Sequence, residues 1–201
     1  AGISVREFSE DKYLAMVTKQ GIIKKTDMSS FANIRKSGLI ALNLREDDDL
    51  ISVMTVEKDD QIFVATRKGM GIKFNEQDAR PMGRTATGVK AITLNEGDYV
   101  VSALKVDPNG QILNVTEKGF GKQTPAEQFN LQYRGGKGLK IHQLTEKTGD
   151  LTGVLMIGEN DELMLITSEG VIIRLRAKDI STYNRVSQGV KLMNLDEGVS
   201  V

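Results

Sequence analysis

The stretch Val115-Thr116-Glu117-Lys118-Gly119 decides the fold, because its pattern of a threonine three residues before a glycine occurs four times in the chain. These glycines are separated by 48, 50 and 51 residues, and they are Gly21, Gly69, Gly119 and Gly170. A second series keeps nearly the same step of 50, 50 and 51 residues, and it consists of Gly38, Gly88, Gly138 and Gly189. Two glycine series in step indicate an internal repeat of about fifty residues.

Each repeat predicts a hairpin of two short strands. The first strand is an apolar run, as expected for a strand buried on both faces, and it covers residues 13–17, 62–65, 112–115 and 163–166. The glycine that follows permits a tight turn, because glycine adopts positive φ without steric cost. The second strand returns through residues 22–25, 71–74, 122–123 and 172–175.

Two further strands are predicted in the second half of each repeat. A third strand follows the second glycine at residues 39–42, 89–94, 139–141 and 190–195. After an acidic turn, a fourth strand covers residues 50–56, 99–106 and 151–157. The repeats therefore span about 12–58, 60–108, 110–159 and 161–201, and residues 1–9 match the last strand of a preceding repeat.

Four-stranded repeats of this length predict one all-β domain of the propeller type, with about four blades of four antiparallel strands. Such units bury their apolar faces only by stacking on one another. The chain has no tryptophan, which excludes the WD40 class of propeller. An ordinary β-sandwich would leave the two glycine series unexplained.

Composition excludes several kinds of chemistry. The chain has no cysteine and one histidine, His142, which excludes disulfides, thiolate metal sites and clusters of histidine ligands. His142 has no evident carboxylate or serine partner, so we expect an ordinary strand histidine, no cofactor and no catalysis by this chain alone. No run approaches the roughly 18 apolar residues of a membrane span, and the expectation is a cytoplasmic protein without membrane contact.

Positive charge recurs at fixed offsets from the second glycine, although the net charge is zero, with 27 basic and 27 acidic residues. Arginines stand four residues before it and lysines two residues after it: Arg84, Arg134 and Arg185, then Lys90, Lys140 and Lys191. The first repeat departs from this spacing, because its basic residues, Arg35 and Lys36, lie closer to the second glycine. A second basic set follows the hairpin turn and comprises Lys24, Lys25, Lys73, Lys122 and Arg174.

The densest of these segments is Gln132-Tyr133-Arg134-Gly135-Gly136-Lys137-Gly138. Glycines let the backbone approach a partner closely, and arginine and lysine form charge-assisted contacts with phosphate oxygens. Recurrence on stacked blades predicts a basic stripe, with the acidic residues collected in other turns. Since aromatic residues make up only 5% of the chain, duplex DNA is favoured over a stacked single strand.

The segment 132–138 resembles the gyrase-A box, Q-R-R-G-G-K-G, which belongs to the C-terminal DNA-wrapping domain of DNA gyrase A. The box residues carried over are Gln132, Arg134, Gly135, Gly136, Lys137 and Gly138, while Tyr133 replaces an arginine. The resemblance implies a β-pinwheel, a variant of the six-bladed propeller whose blades exchange a strand with their neighbours. Because that family domain has six blades, the four repeats resemble its C-terminal part.

The resemblance also implies a function. Double-stranded DNA would bend around a basic rim, so that an A2B2 enzyme of gyrase A and gyrase B introduces negative supercoils in a reaction that uses ATP. The catalytic tyrosine of that enzyme lies outside this chain. Two alternatives stay open: the corresponding C-terminal domain of topoisomerase IV, and a propeller scaffold that binds proteins.

Overall fold

The fold is described by a computed structural model, which covers residues 2–9 and 11–201. Its strands are β1 (Lys12–Thr18), β2 (Ile22–Asp27), β3 (Leu50–Glu57), β4 (Gln61–Thr66), β5 (Met70–Asn75), β6 (Val89–Lys90), β7 (Val100–Lys105), β8 (Gln111–Thr116), β9 (Phe120–Pro125), β10 (Leu139–Lys140), β11 (Leu151–Ile157), β12 (Glu162–Ile166), β13 (Ile172–Arg176) and β14 (Val190–Lys191). One 3-10 turn follows each hairpin, at Met28–Phe31, Glu76–Asp78, Ala126–Gln128 and Ala177–Asp179. Within the described ranges no helix is long and apolar enough to cross a membrane.

Consecutive repeats are joined by strand exchange. The described residues form three four-stranded antiparallel sheets, in the orders β3-β1-β2-β6, β7-β4-β5-β10 and β11-β8-β9-β14. In each sheet three strands come from one repeat, and the short fourth strand comes from the next repeat along the chain. The all-β class and the pinwheel predicted from the sequence are therefore confirmed.

The structure corrects several strand predictions. The fourth repeat forms a two-stranded hairpin, β12-β13, in place of a four-stranded blade. Residues 39–42 and 2–9 contain no strand in the described chain, and Ala1 lies outside it. Residues 39–42 are equivalent to the exchanged strands, which pair with the hairpin of the preceding repeat. Residues 2–9 are equivalent to a fourth strand, which pairs with the first strand of its own repeat. The described chain holds neither partner. The exchanged strands are also only two residues long.

The recurring threonine fixes the hairpin turn. The hydroxyl of Thr116 accepts a hydrogen bond from the backbone N–H of Phe120 at 3.1 Å, and the carbonyl of Thr116 accepts from the N–H of Gly119 at 3.1 Å. Both bonds recur in the other repeats, through Thr18, Thr66 and Thr167. The turn is therefore closed by the threonine side chain as well as by the backbone, which explains its recurrence at this offset.

Three glycines of the second series lie where one repeat packs closely against the preceding one. Gly138 has a φ of +76°, and a Cβ atom there would collide with the carbonyl oxygen of Gly71 on β5. Gly88 and Gly189 meet the carbonyls of Ile23 and Gly121 in the same way, each at 2.5 Å from such a Cβ. Glycine is required at these positions by the close approach of two backbones as well as by the left-handed φ.

Successive sheets contact one another along one of their two edges. The edge strands β3, β7 and β11 contact each other in sequence, and the Ser52 hydroxyl on β3 donates to the carbonyl of Ala103 on β7 at 2.8 Å. The exchanged strands β6, β10 and β14 form the opposite edge of each sheet, which we call the rim edge. Apolar clusters fill the space between successive sheets.

Candidate nucleic-acid interface

The rim edge carries exposed lysines from three successive repeats. Lys90, Lys140 and Lys191 are each the second residue of an exchanged strand, and all three are exposed. Lys137 is also exposed, one residue before the glycine that precedes β10. The regular offset of these lysines from the second glycine therefore becomes a regular placement on one edge of the fold.

The arginines of each repeat reach back to the preceding repeat. The Arg134 guanidinium donates to the carbonyl of Lys90 at 2.5 Å, and the Arg185 guanidinium donates to the carbonyl of Lys140. Arg84 donates to the carbonyl of Ile40 at 3.2 Å. A loop arginine of one repeat and a rim lysine of the repeat before it are thus brought together at two successive boundaries. The first boundary has Ile40 in place of the lysine.

The box-like loop is fixed by backbone contacts with the second repeat. The N–H of Gln132 donates to the carbonyl of Lys73 at 2.8 Å, and the N–H of Gly135 donates to the carbonyl of Ala91 at 2.8 Å. The Thr93 hydroxyl donates to the carbonyl of Gly135 at 2.6 Å, and the Thr93 N–H donates to the carbonyl of Gly136 at 2.9 Å. Gly135 has a φ of +91°, which only glycine adopts readily.

Asp78 supplies a further fixed point for this loop. Its carboxylate accepts from the N–H of Arg134 at 3.1 Å, and its carbonyl accepts from Arg134 Nε at 3.0 Å. The side chain of Arg134 therefore bridges two segments of the second repeat and stays partly exposed. Tyr133, Gly136 and Lys137 are the exposed residues of the loop.

Two lysines predicted to bind DNA are buried and serve as contacts between repeats. Lys122 donates to the carbonyls of Asn184, Arg185 and Ser187 at 3.0, 2.7 and 2.9 Å. Lys24 donates to the carbonyls of Ala41, Gly83 and Arg84. Both side chains are almost fully buried, so the prediction of a DNA contact is corrected for them: their ammonium groups hold the loops that carry the arginines.

Burial changes the acidity of these ammonium groups. It removes solvation from the charged form and so lowers the pKa of Lys122 to about 7 and that of Lys24 to about 8. The guanidinium groups of Arg185 and Arg84 add a smaller repulsion to the same effect.

Lys25 and Lys73 are corrected in the same way. Lys25 donates to the buried carboxylate of Glu76 at 2.5 Å and to the Glu76 carbonyl at 3.1 Å. Lys73 donates to the carbonyl of Ala126 at 3.1 Å, and burial lowers its pKa. Glu76 and Ala126 each begin the 3-10 turn of the next repeat, so both lysines link consecutive repeats.

The remaining predicted cations lie apart from the two boundaries at which a loop arginine contacts a rim lysine. Arg35 and Lys36 are exposed in the loop of the first repeat. Arg174 occupies the position of Lys25 and Lys73 within the fourth repeat, where it is exposed and forms an ion pair with Glu162 on the same hairpin. These three residues are not brought together with Arg134, Lys137 and Lys140.

His142 is a buried residue of the interface between the third and fourth repeats. Its Nε2 lies 2.9 Å from the carbonyl oxygen of Gln188, and its Nδ1 has no hydrogen-bond partner among the described residues. Burial, with a smaller repulsion from Lys122, lowers its pKa to about 4. The side chain is therefore neutral near pH 7, and no cluster of three His, Asp or Glu side chains in the described chain could hold a metal.

The sequence gives little sign of the acceptors that hold the arginines and lysines between repeats. Most are backbone carbonyls, which any residue type supplies. Asp78 and Glu76 are the exceptions, and each lies in the 3-10 turn after the hairpin of the second repeat. The one available signal was Glu76, an acidic residue in the turn that follows the second hairpin, which pairs with Lys25 of the preceding hairpin.

Comparison with known proteins agrees with this architecture. The family model described as DNA gyrase C-terminal domain, beta-propeller, matches residues 12–57, 60–107, 111–157 and 161–201. The DNA gyrase A protein of Clostridium acetobutylicum is 58% identical over 99% of this chain and 24% of its own length. The chain thus spans about a quarter of the length of that relative.

Two solved structures share the fold. A DNA gyrase A C-terminal domain aligns with a TM-score of 0.85 and 28% identity, over 96% of this chain and 65% of the other. The C-terminal domain of a DNA topoisomerase IV aligns with a TM-score of 0.89 and 27% identity, over 96% and 60%. The resemblance found in segment 132–138 is confirmed along the whole chain, which belongs to the DNA gyrase C-terminal domain family of β-propellers.

Proposed function

We propose that this chain binds double-stranded DNA along the rim edge and wraps it, as the DNA-wrapping part of a gyrase A protein. One observation carries the proposal: at two successive boundaries a loop arginine contacts the carbonyl of the preceding rim lysine, through Arg134 with Lys90 and Arg185 with Lys140. Each contact joins a loop arginine to the backbone of a residue that carries an exposed lysine side chain, and it recurs at the next boundary. Such an array suits an extended polyanion, because DNA presents phosphates at regular intervals.

The proposal assigns different roles to the cations of the rim edge. The lysines Lys90, Lys137, Lys140 and Lys191 contact phosphates, since their side chains are exposed. Arg134 and Arg185 hold the preceding exchanged strand in place, and Arg84 holds the backbone at Ile40. All three offer their remaining N–H groups to the same DNA backbone. Contacts of this kind supply affinity and register on the duplex but no sequence preference.

Wrapping places this chain within a larger reaction. The gyrase A protein would act with gyrase B in an A2B2 enzyme in the bacterial cytoplasm, where the wrapped segment is presented for strand passage and negative supercoils are introduced using ATP. Strand cleavage and ATP hydrolysis would reside in other parts of that enzyme. The proposal gives this chain the task of bending and positioning DNA.

The gyrase assignment is favoured over topoisomerase IV by sequence. The two solved structures are about equally similar to this chain, at 28% and 27% identity, and do not separate the two families. The gyrase A proteins of Clostridium acetobutylicum and Halalkalibacterium halodurans reach 58% and 52% identity over 99% of the chain.

Wrapping can be tested separately from binding by ligating nicked DNA circles in the presence of the protein. The ligated circles should carry a shifted linking number if the domain wraps DNA, and an unchanged linking number if it binds DNA without wrapping it.

A titration of linear duplex at several salt concentrations tests the DNA contact itself. Replacing Lys137 and Lys140 by glutamate should weaken binding and flatten the plot of log affinity against log salt by about 2, one for each lost phosphate contact. The matched control replaces Lys58 and Lys105, two exposed lysines away from the rim edge, and should leave the slope unchanged. Equal effects of both variants would contradict a DNA path along the rim edge.

A further inference from the structure

A cavity of about 340 Å³ adjoins the rim edge at the boundary between the third and fourth repeats. Three lysines line it, and the ring of Phe120 forms one wall. The ammonium groups of Lys147 and Lys191 lie 5.6 and 6.0 Å from the centroid of that ring, and are therefore no more than about 12 Å apart. The third lysine, Lys118, belongs to the hairpin turn just before Phe120 and donates to the carbonyl of Glu146.

These positive charges are not neutralised by ion pairs. Within the described chain, no carboxylate oxygen lies within 4.0 Å of the ammonium groups of Lys118, Lys147 or Lys191. Asp196 and Glu197 also line the cavity, and they lower its net positive charge without pairing with a lysine. The cavity therefore keeps an excess of cations that face one space.

The other boundaries do not carry this cluster. The positions of Lys118, Phe120 and Lys147 are taken in the second repeat by Lys68, Met70 and Gly97, and in the first repeat by Gln20, Ile22 and Asp47. Lys68 is already paired with Asp150 at 3.1 Å. The extra cations of the third repeat therefore do not follow from the demands of the fold.

We propose that duplex DNA leaves the rim edge at this boundary, with its phosphates passing into the cavity between Lys118, Lys147 and Lys191. The inference rests on the proposed function, because it extends the same DNA path. Lys191 is the link: it belongs to the rim lysines, and its ammonium group lies over the same ring as that of Lys147. Phosphates follow each other about every 3.4 Å along the axis of each strand, so a DNA backbone bound at Lys191 can continue to the neighbouring lysines.

The path turns from the rim edge towards the hairpin-turn end of the sheets, since Lys118 lies in the turn between β8 and β9. DNA that follows it moves sideways as it passes from the third repeat to the fourth. The cavity thereby sets the pitch of the wrapped duplex, while the rim lysines supply its curvature.

The test compares variants of the cavity and of the rim edge by duplex titration at several salt concentrations. Lys118→Gln with Lys147→Gln should lower the salt slope by about 2 and reduce affinity in 0.1 M salt by more than about tenfold. Lys68→Gln is the matched control, because it removes the equivalent turn lysine of the second repeat, which is paired with Asp150, and its slope should stay unchanged. An unchanged slope for the double variant, while the Lys137 and Lys140 variant loses affinity, overturns the path through the cavity and leaves the proposed function intact.

A second measurement separates DNA from a small anion. Acetylation of Lys118 and Lys147, followed by mass spectrometry, should be suppressed by linear duplex and not by millimolar inorganic phosphate. Replacing Asp196 by Asn and Glu197 by Gln should raise duplex affinity, because it removes negative charge from the same cavity. Equal protection by phosphate alone, or no gain from that variant, would overturn the assignment to the DNA backbone.

Discussion

Identical residues at equivalent positions of the repeat meet different surroundings in the fold. Gly138 lies against the backbone of β5, whereas Gly38 has a φ of +78° and no described atom within 4 Å of a Cβ placed there. Both glycines adopt the left-handed φ that the turn requires, and only Gly138 also allows the close approach of two repeats. The two contributions to stability can therefore be separated by experiment.

Replacing each glycine by alanine should give unequal losses of stability. Gly38→Ala should cost about 1 kcal/mol, the penalty of a left-handed φ for a residue with a Cβ. Gly138→Ala should cost at least about 3 kcal/mol, because the new methyl group also collides with the Gly71 carbonyl. Urea unfolding of the two variants measures the difference, and equal losses would contradict the account of the second glycine series.

The buried imidazole predicts a pH dependence of stability. The pKa of His142 is lowered to about 4 in the folded protein, against an ordinary value of 6.5, so the unfolded chain binds the proton more readily. The free energy of unfolding should therefore fall as the pH drops from 6.5 to 4, by up to about 3 kcal/mol from this group. His142→Gln should show a smaller fall over that range by urea unfolding, and parallel curves for the two proteins would contradict it.

At the scale of elements, side chains from one hairpin hold the loop of the next repeat. The sequence predicted the strand that contains Lys122, but not the direction in which its ammonium group points. A lysine after a hairpin turn looks the same in sequence whether it faces water or three carbonyls of a neighbouring repeat. Its function could not be assigned without knowing which loop packs against β9.

Lys122→Met separates a structural lysine from a DNA contact. The variant loses hydrogen bonds to three carbonyls and should lower the free energy of unfolding by about 2 to 4 kcal/mol. Where it remains folded, its DNA binding should keep the wild-type salt slope. Lys140→Met should show the opposite result, with stability unchanged and the slope lowered by about 1. A lowered slope for Lys122→Met at unchanged stability would restore the original prediction.

Strand prediction succeeded where the signal was local. The run 112–115 and its turn at Gly119 are observed as β8 and the start of the β8–β9 hairpin. The segment 139–141 gave only the prediction of a strand, and nothing in its residues tells which sheet it joins. The family resemblance implied that neighbouring blades exchange a strand, but the pairing of this segment with β5 of the preceding repeat is seen only in the structure, because exchange is a property of how repeats pack.

At the scale of the molecule, a net charge of zero coexists with an edge that carries exposed lysines from three successive repeats. The sequence predicted a basic stripe from the recurring offsets, and the exposed lysines on β6, β10 and β14 lie on the rim edge. It overestimated the number of cations in that stripe, because four of the predicted lysines are buried between repeats. Position on the fold, and not the sum of charges, therefore determines the surface that we propose to bind DNA.

Completing the lysine series at the first boundary should strengthen DNA binding. Ile40 is 59% exposed and stands where the other repeats have a rim lysine, beside Arg84. Ile40→Lys should raise the salt slope by about 1 in duplex titration. Met164→Lys adds the same charge at an exposed position on β12 and should leave the slope unchanged. Equal gains from both variants would show that net charge, and not its placement, determines binding.

Strand exchange has a consequence for how such a chain changes in evolution. The unit copied in the gene and the sheet formed in the protein are offset by one strand, so each blade is completed by its neighbour. A recombination event can remove or duplicate one full repeat of about fifty residues. Wherever in the repeat the break falls, the same kinds of strand are joined and the same contacts form again. The number of blades can therefore change in a single genetic event without a new interface having to arise.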